Sequence, residues 1–119
     1  SSEELVEALD ELGVDAVWMN HWAGKPLMFD TEERIAAADY YDLAIGHGID
    51  RLPAATARVH ESPRPAYVFT TDQTDLPIEN WLDAQGITYD KRVVSGYVVI
   101  HPHERVDPAE VVDFLGYDW

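Results

Sequence analysis

The sequence predicts an α/β domain: a three-layer sandwich around a small, mostly parallel sheet, closing on a C-terminal β-hairpin. Three observations predict it. Apolar runs of strand length alternate with amphipathic segments that begin at a proline or an acidic turn and stop at a glycine. The last two apolar runs are separated only by Ser95-Gly96, a hairpin turn. The chain of 119 residues with 46% hydrophobic content fits one domain with a single core, residues 1–119.

The opening "SSEELVEALDELG" reads as a helix, with Leu5, Leu9 and Leu12 at helical spacing, acids in the first turn and Gly13 as the stop. "VDAVWMN" follows with the length and composition of a buried strand, and Asn20-His21-Trp22 forms a strand-to-helix corner. "ERIAAA" is a second strand, and "DYYDLAIGHGID" a surface loop holding His47 between two glycines. "LPAATARVHES" reads as a helix with Pro53 in its first turn, ended by Pro63 and Pro65. "AYVFTT" is the clearest strand. "LPIENWLDAQG" repeats the pattern of early proline, amphipathic helix and stopping glycine. "ITYDKRVV" and "YVVIHPH" form the hairpin, and "DPAEVVDFLG" a last helix with Asp107 as N-cap and Pro108 at its first position.

Charge narrows the function classes. With 23 acidic against 8 basic residues the net charge is −15, which repels phosphate backbones and anionic headgroups, so no nucleic-acid partner is expected. The aspartates run from Asp10 to Asp118 without a dense block, the pattern of a hydrated surface adapted to high salt, a halophile's surface. Cysteine is absent, excluding disulfides, thiolate metal sites and a cysteine nucleophile. No apolar run approaches the ~20 residues of a membrane span. A chain that begins at Ser1-Ser2 and runs straight into a helix is expected to be a piece of a longer protein. The G-x-S-x-G, G-x-x-x-x-G-K-[ST] and G-x-G-x-x-G templates are all missing.

The pattern from "GVDAVWMNHWAGKPLMFDTEERIAAA" through "DRLPAATARVHESPRPAYVF" resembles the soluble C-terminal domain of polytopic membrane glycosyltransferases. These belong to the superfamily of the dolichyl-phosphate-mannose protein mannosyltransferases and aminoarabinose transferases. Such domains carry a "YADYWxAYxLTFxSxERI" stretch, an arginine-proline segment, an "AYVF" strand and a "GIxY…GYxV" ending. Trp22, Leu27, Phe29, Glu33, Arg34 and Ile35 fall on that pattern, followed in order by Arg51 and Pro53, Ala66 to Phe69, Gly86, Ile87 and Tyr89, and Gly96, Tyr97 and Val98. Asn20-His21 stands where the pattern has Asp-Tyr, and Lys25 where it has a second tyrosine. The resemblance covers about residues 4 to 101. It implies an accessory domain on the extracytoplasmic face of the membrane, with no catalytic residue of its own, because the sugar-transfer carboxylates of such proteins lie between membrane helices. It also implies the transmembrane portion of the parent chain as partner, and a polyprenyl-phosphate sugar or a glycan acceptor as ligand.

Within the chain, Trp22 is placed to stack on a sugar face or an isoprenoid, with Asn20 and His21 supplying hydrogen bonds beyond the carboxyl end of the first strand. The alternative is that Trp18, Trp22, Met28 and Phe29 cover the sheet edge, and Trp18, inside the apolar run, is expected in the core. Arg34, Arg51, Arg58 and Arg64 either clamp a phosphate, Arg51 foremost, or pair with neighbouring acids. His60 sits near a helix C-terminus, where its partial charge is favourable. His101 and His103 are two residues apart and, with Glu104 or Asp107, could make a zinc site; no cofactor is otherwise expected. Three functions follow: the accessory domain just described, a free-standing module that binds a small sugar or phosphate ligand, and a small metal-dependent hydrolase using His101 and His103.

Overall fold

Leu5 and Leu9, one helical turn apart and fully buried, set the inward face of the first helix, α1 (Ser2–Leu12). It is followed by β1 (Ala16–Trp18), α2 (His21–Asp30), β2 (Ala36–Ala38), α3 (Pro53–Glu61), β3 (Ala66–Phe69), α4 (Pro77–Gln85), β4 (Tyr89–Val94), β5 (Tyr97–Pro102), α5 (Pro108–Val111) and a 3-10 turn (Val112–Phe114). The computed structural model describes residues 2–39 and 53–115, apart from the side chains of His21, Trp22 and Pro53. Residues 40–52, which include nearly all of the expected loop with His47 and, after it, Arg51, lie outside the described residues.

The class is α/β, with one five-stranded sheet in the order β2-β1-β3-β5-β4. The sheet is mixed. β2, β1 and β3 are parallel, with Val17 facing Ala37 on one side and Ala66 on the other. β5 runs antiparallel to both β3 and β4. Composition explains why β5 takes the inner place. Val98, Val99 and Ile100 are an unbroken apolar run that needs cover on both faces, whereas β4, "YDKRVV", has no fully buried residue and suits the edge.

Strict alternation along the strands sorts the core into two faces. Val17, Met19, Ala37, Val68 and Val99 pack with Leu5 and Leu9 of α1 and Leu27 and Met28 of α2. Trp18, Ala38, Tyr67, Phe69 and Ile100 pack with Val59 of α3, Ile78 and Leu82 of α4 and Val111 of α5. Each buried leucine or isoleucine contributes about 1.5–3 kcal/mol by leaving water.

Helix ends follow local chemistry. α1 and α4 end alike, with Val14 N–H bonded to the Leu9 carbonyl and Ile87 N–H to that of Leu82, around left-handed Gly13 and Gly86. α2 ends the same way, Glu33 N–H on the Met28 carbonyl and Glu32 N–H on that of Phe29, but with Glu32 at φ 53° in the glycine position and Glu33 at φ 63°. The "ERIAAA" strand is therefore shorter than its apolar pattern suggests, because Glu33 and Arg34 are used in this turn and the ladder starts at Ala36. Arg58 of α3 donates to the carbonyls of both Glu33 and Arg34, and Arg34 pairs with Asp10 at 2.7 Å. At the other edge Glu79 accepts from Leu76 N–H at the start of α4, from Lys91 Nζ at 3.0 Å and from the Tyr89 hydroxyl, fastening α4 to β4.

Candidate functional site

The parallel strands β1, β2 and β3 end together at one edge of the sheet. The chain leaves β1 for α2, on the face that α1 also covers, and leaves β3 for α4, on the opposite face. This divergence makes the β1/β3 boundary the place where a crevice opens in sheets of this kind. Asn20 stands there, 3% exposed, as the N-cap of α2. Its Oδ1 accepts from Ala23 N–H at 3.0 Å, and its Nδ2 donates to Thr70 Oγ1, just past β3, also at 3.0 Å. The expected ligand donor thus also serves the fold: one end caps a helix and the other ties it to the end of β3.

His21 and Trp22 form the first turn of α2, and their side chains, like the whole of Arg51, lie outside the described residues. Trp18 is fully buried, as expected of a core residue, with its ring edge-on to His60 at 5.2 Å and 82°. Met28 is buried beneath α2, but Phe29 is 84% exposed and does not cover the sheet. Of the other arginines proposed for a phosphate, Arg34 is held by Asp10, and Arg58 by backbone carbonyls.

The histidines of "HPHE" lie at the opposite end of the sheet, because β5 runs antiparallel to β3 and ends where β3 begins. His101 is 3% exposed, and its Nε2 faces the Arg64 carbonyl at 3.1 Å, so that nitrogen carries the proton and Nδ1 keeps its lone pair. Burial pushes the imidazole pKa down, against the Arg64 carbonyl, which favours the protonated ring. His103, past the end of β5, is exposed. Its Nδ1 lies 2.7 Å from Thr88 Oγ1 and its Nε2 3.0 Å from Asp90 Oδ2. The hydrogen bond from His103 holds the Asp90 carboxyl below the usual carboxylate range. Asp107, a suggested third zinc ligand, binds Arg105 Nε at 2.9 Å. Among the described residues no three His, Asp or Glu side chains come together as a metal site.

The Thr88–His103–Asp90 array was accessible from the sequence through the hairpin. A two-residue turn at Ser95-Gly96 sets Val94 opposite Tyr97 and Tyr89 opposite Pro102, and one step further places Thr88 opposite His103, with His103 N–H on the Thr88 carbonyl at 2.9 Å. Asp90 then lies diagonally across, within side-chain reach. Comparisons with protein-family models, with curated proteins and with solved structures find no match to this chain.

Proposed function

We propose that the chain is a non-catalytic accessory domain of a membrane glycosyltransferase-like protein, held on the extracytoplasmic face. In this reading the domain is a three-layer sandwich closed by the β4–β5 hairpin. It seats against the transmembrane part of the parent chain, where it aids recognition of a lipid-linked sugar or a glycan acceptor.

The observation that carries the proposal is the outer face of α2. Phe29 is 84% exposed, with Lys25 and Pro26 exposed beside it on neighbouring turns. From Ala16 to Phe29 the chain has no acidic residue, although it has 23 in all. An exposed aromatic ring and a lysine in a stretch free of acids up to Asp30 suit a partner at the depth of lipid headgroups, which the rest of so acidic a surface would repel. The order of the family-like segments, which includes Phe29 itself, supports the same reading.

The test is photocrosslinking in the full-length gene product, with a benzophenone side chain at position 29 and, as control, at Val93. The expected result is a crosslink from position 29 to a membrane-embedded segment and none from position 93. A gene product without polytopic hydrophobic segments, or equal crosslinking from both positions, overturns the proposal.

A further inference from the structure

We infer that Thr88 is an activated nucleophile, a surface threonine that accepts an acyl group from small esters or thioesters, with His103 as general base and Asp90 as positioning residue. The hydrogen-bond directions follow from the partners. An ionised carboxylate only accepts, so His103 Nε2 carries its proton toward Asp90 Oδ2 at 3.0 Å. That leaves a lone pair on Nδ1, which is 2.7 Å from Thr88 Oγ1 and accepts the hydroxyl proton. A hydroxyl, an imidazole and a carboxylate in this relation form the array that makes a weak alcohol nucleophilic, here with the two ring nitrogens in exchanged roles.

The fold holds the three groups in place. Thr88 and His103 are fixed opposite each other by their backbone hydrogen bond at 2.9 Å, and Asp90 is set by the β4–β5 register. In the reaction Thr88 Oγ1 attacks the acyl carbonyl carbon while its proton passes to His103 Nδ1, and Asp90 faces the resulting imidazolium. The tetrahedral intermediate collapses as the bond from the acyl carbon to the leaving group breaks. The leaving alcohol or thiol takes the proton from Nδ1, and the chain remains as an O-acyl threonine ester with His103 neutral again. His103 and Asp90 side chains are 41% and 46% exposed, so the site is open and shallow and takes small donors. The surrounding negative charge favours neutral donors over carboxylate-bearing ones.

The test uses 4-nitrophenyl acetate as probe, reading 4-nitrophenolate release together with peptide mapping by mass spectrometry. The expected result is one acetyl group on Thr88, acquired with a stoichiometric burst. Thr88→Ser keeps the label, Thr88→Val abolishes the burst, and His103→Gln slows labelling about 100-fold. Asp90→Asn lowers the rate and changes the shape of its pH dependence, which a merely structural role would not do. Labelling of Thr88 no faster than of the exposed hydroxyl of Thr74 overturns the inference, as does a burst that survives Thr88→Val. The Thr88→Val and Thr88→Ser pair keeps the test decisive should His103→Gln fail to fold.

Discussion

Asn20 Nδ2 donates to Thr70 Oγ1 across 3.0 Å, so the residue that starts α2 also fastens the end of β1 to the end of β3. Asn20→Ala removes the helix cap and this bond together and is expected to cost about 2 kcal/mol of unfolding free energy. Asn20→Asp keeps the cap acceptor and loses the donor, so it is expected to cost roughly half as much. Urea denaturation of Asn20→Ala, Thr70→Val and the double variant, compared with wild type as a double-mutant cycle, measures the coupling directly.

Gly24 faces Ala37 across the contact between α2 and β2, and a Cβ at Gly24 would lie 2.9 Å from the Ala37 Cβ. Neither atom can rotate away, so the helix must lift. Gly24→Ala is expected to destabilise by about 1–3 kcal/mol despite alanine's better helix propensity. Adding Ala37→Gly is expected to restore part of the loss in the thermal midpoint. A Gly24→Ala variant as stable as wild type would show that α2 does not sit so close.

Glu32 occupies at φ 53° the position that glycine holds at the ends of α1 and α4. A left-handed non-glycine residue costs about 1 kcal/mol, and glycine returns some of the gain by loosening the unfolded chain. Glu32→Gly is expected to raise stability by about 0.5 kcal/mol, read from the urea midpoint at unchanged slope.

Acid stability depends on Glu79. Burial alone would push its carboxyl up, but the Leu76 N–H, the Lys91 ammonium and the Tyr89 hydroxyl together hold it below the usual range. A carboxylate with a depressed folded pKa contributes stability above its unfolded pKa, and that contribution is lost as pH falls through the folded value. Stability of the wild type should therefore fall on acidification below the ordinary carboxylate range. Lys91→Met is expected to begin its fall at higher pH, and Glu79→Gln to show a shallower one, in unfolding curves taken at closely spaced pH values.

The net charge of −15 sets a salt dependence. Raising ionic strength from 0.1 M to 1 M shortens the Debye length from about 10 Å to 3 Å and screens most self-repulsion among surface carboxylates. The thermal midpoint is expected to rise by on the order of 5 °C over that range in sodium chloride. A midpoint that stays flat or falls would remove the case for a salt-adapted surface.

Features written in a few adjacent residues were legible in the sequence. Pro53, the Pro77 to Gly86 segment, the Asp107-Pro108 start and the "AYVF" strand all appear where local chemistry puts them. The extent of α2 was not legible, because Gly24 and Pro26 are helix breakers and its apolar residues point both inward, as Leu27 and Met28, and outward, as Phe29. The antiparallel place of β5 beside β3 depends on which strand can be buried on both faces, a comparison between distant segments. For the candidate sites, residue type was readable and commitment was not. Asn20 had the right chemistry and position for a ligand, and its Oδ1 and Nδ2 each make one hydrogen bond within the fold that the sequence did not reveal. His103 suggested a metal by its spacing from His101, whereas its partners lie across the hairpin.

α1 packs against β4 and β5, the strands farthest from it in sequence, and Glu4 accepts from Ser95 N–H at 3.3 Å. As the chain leaves the ribosome, Leu5 and Leu9 therefore emerge long before Val99, one of the residues that will cover them. Within this domain α1 is made well before the strands it packs on. Until the hairpin is released, that leucine stripe is open to a chaperone, or to the same stripe on a neighbouring nascent chain.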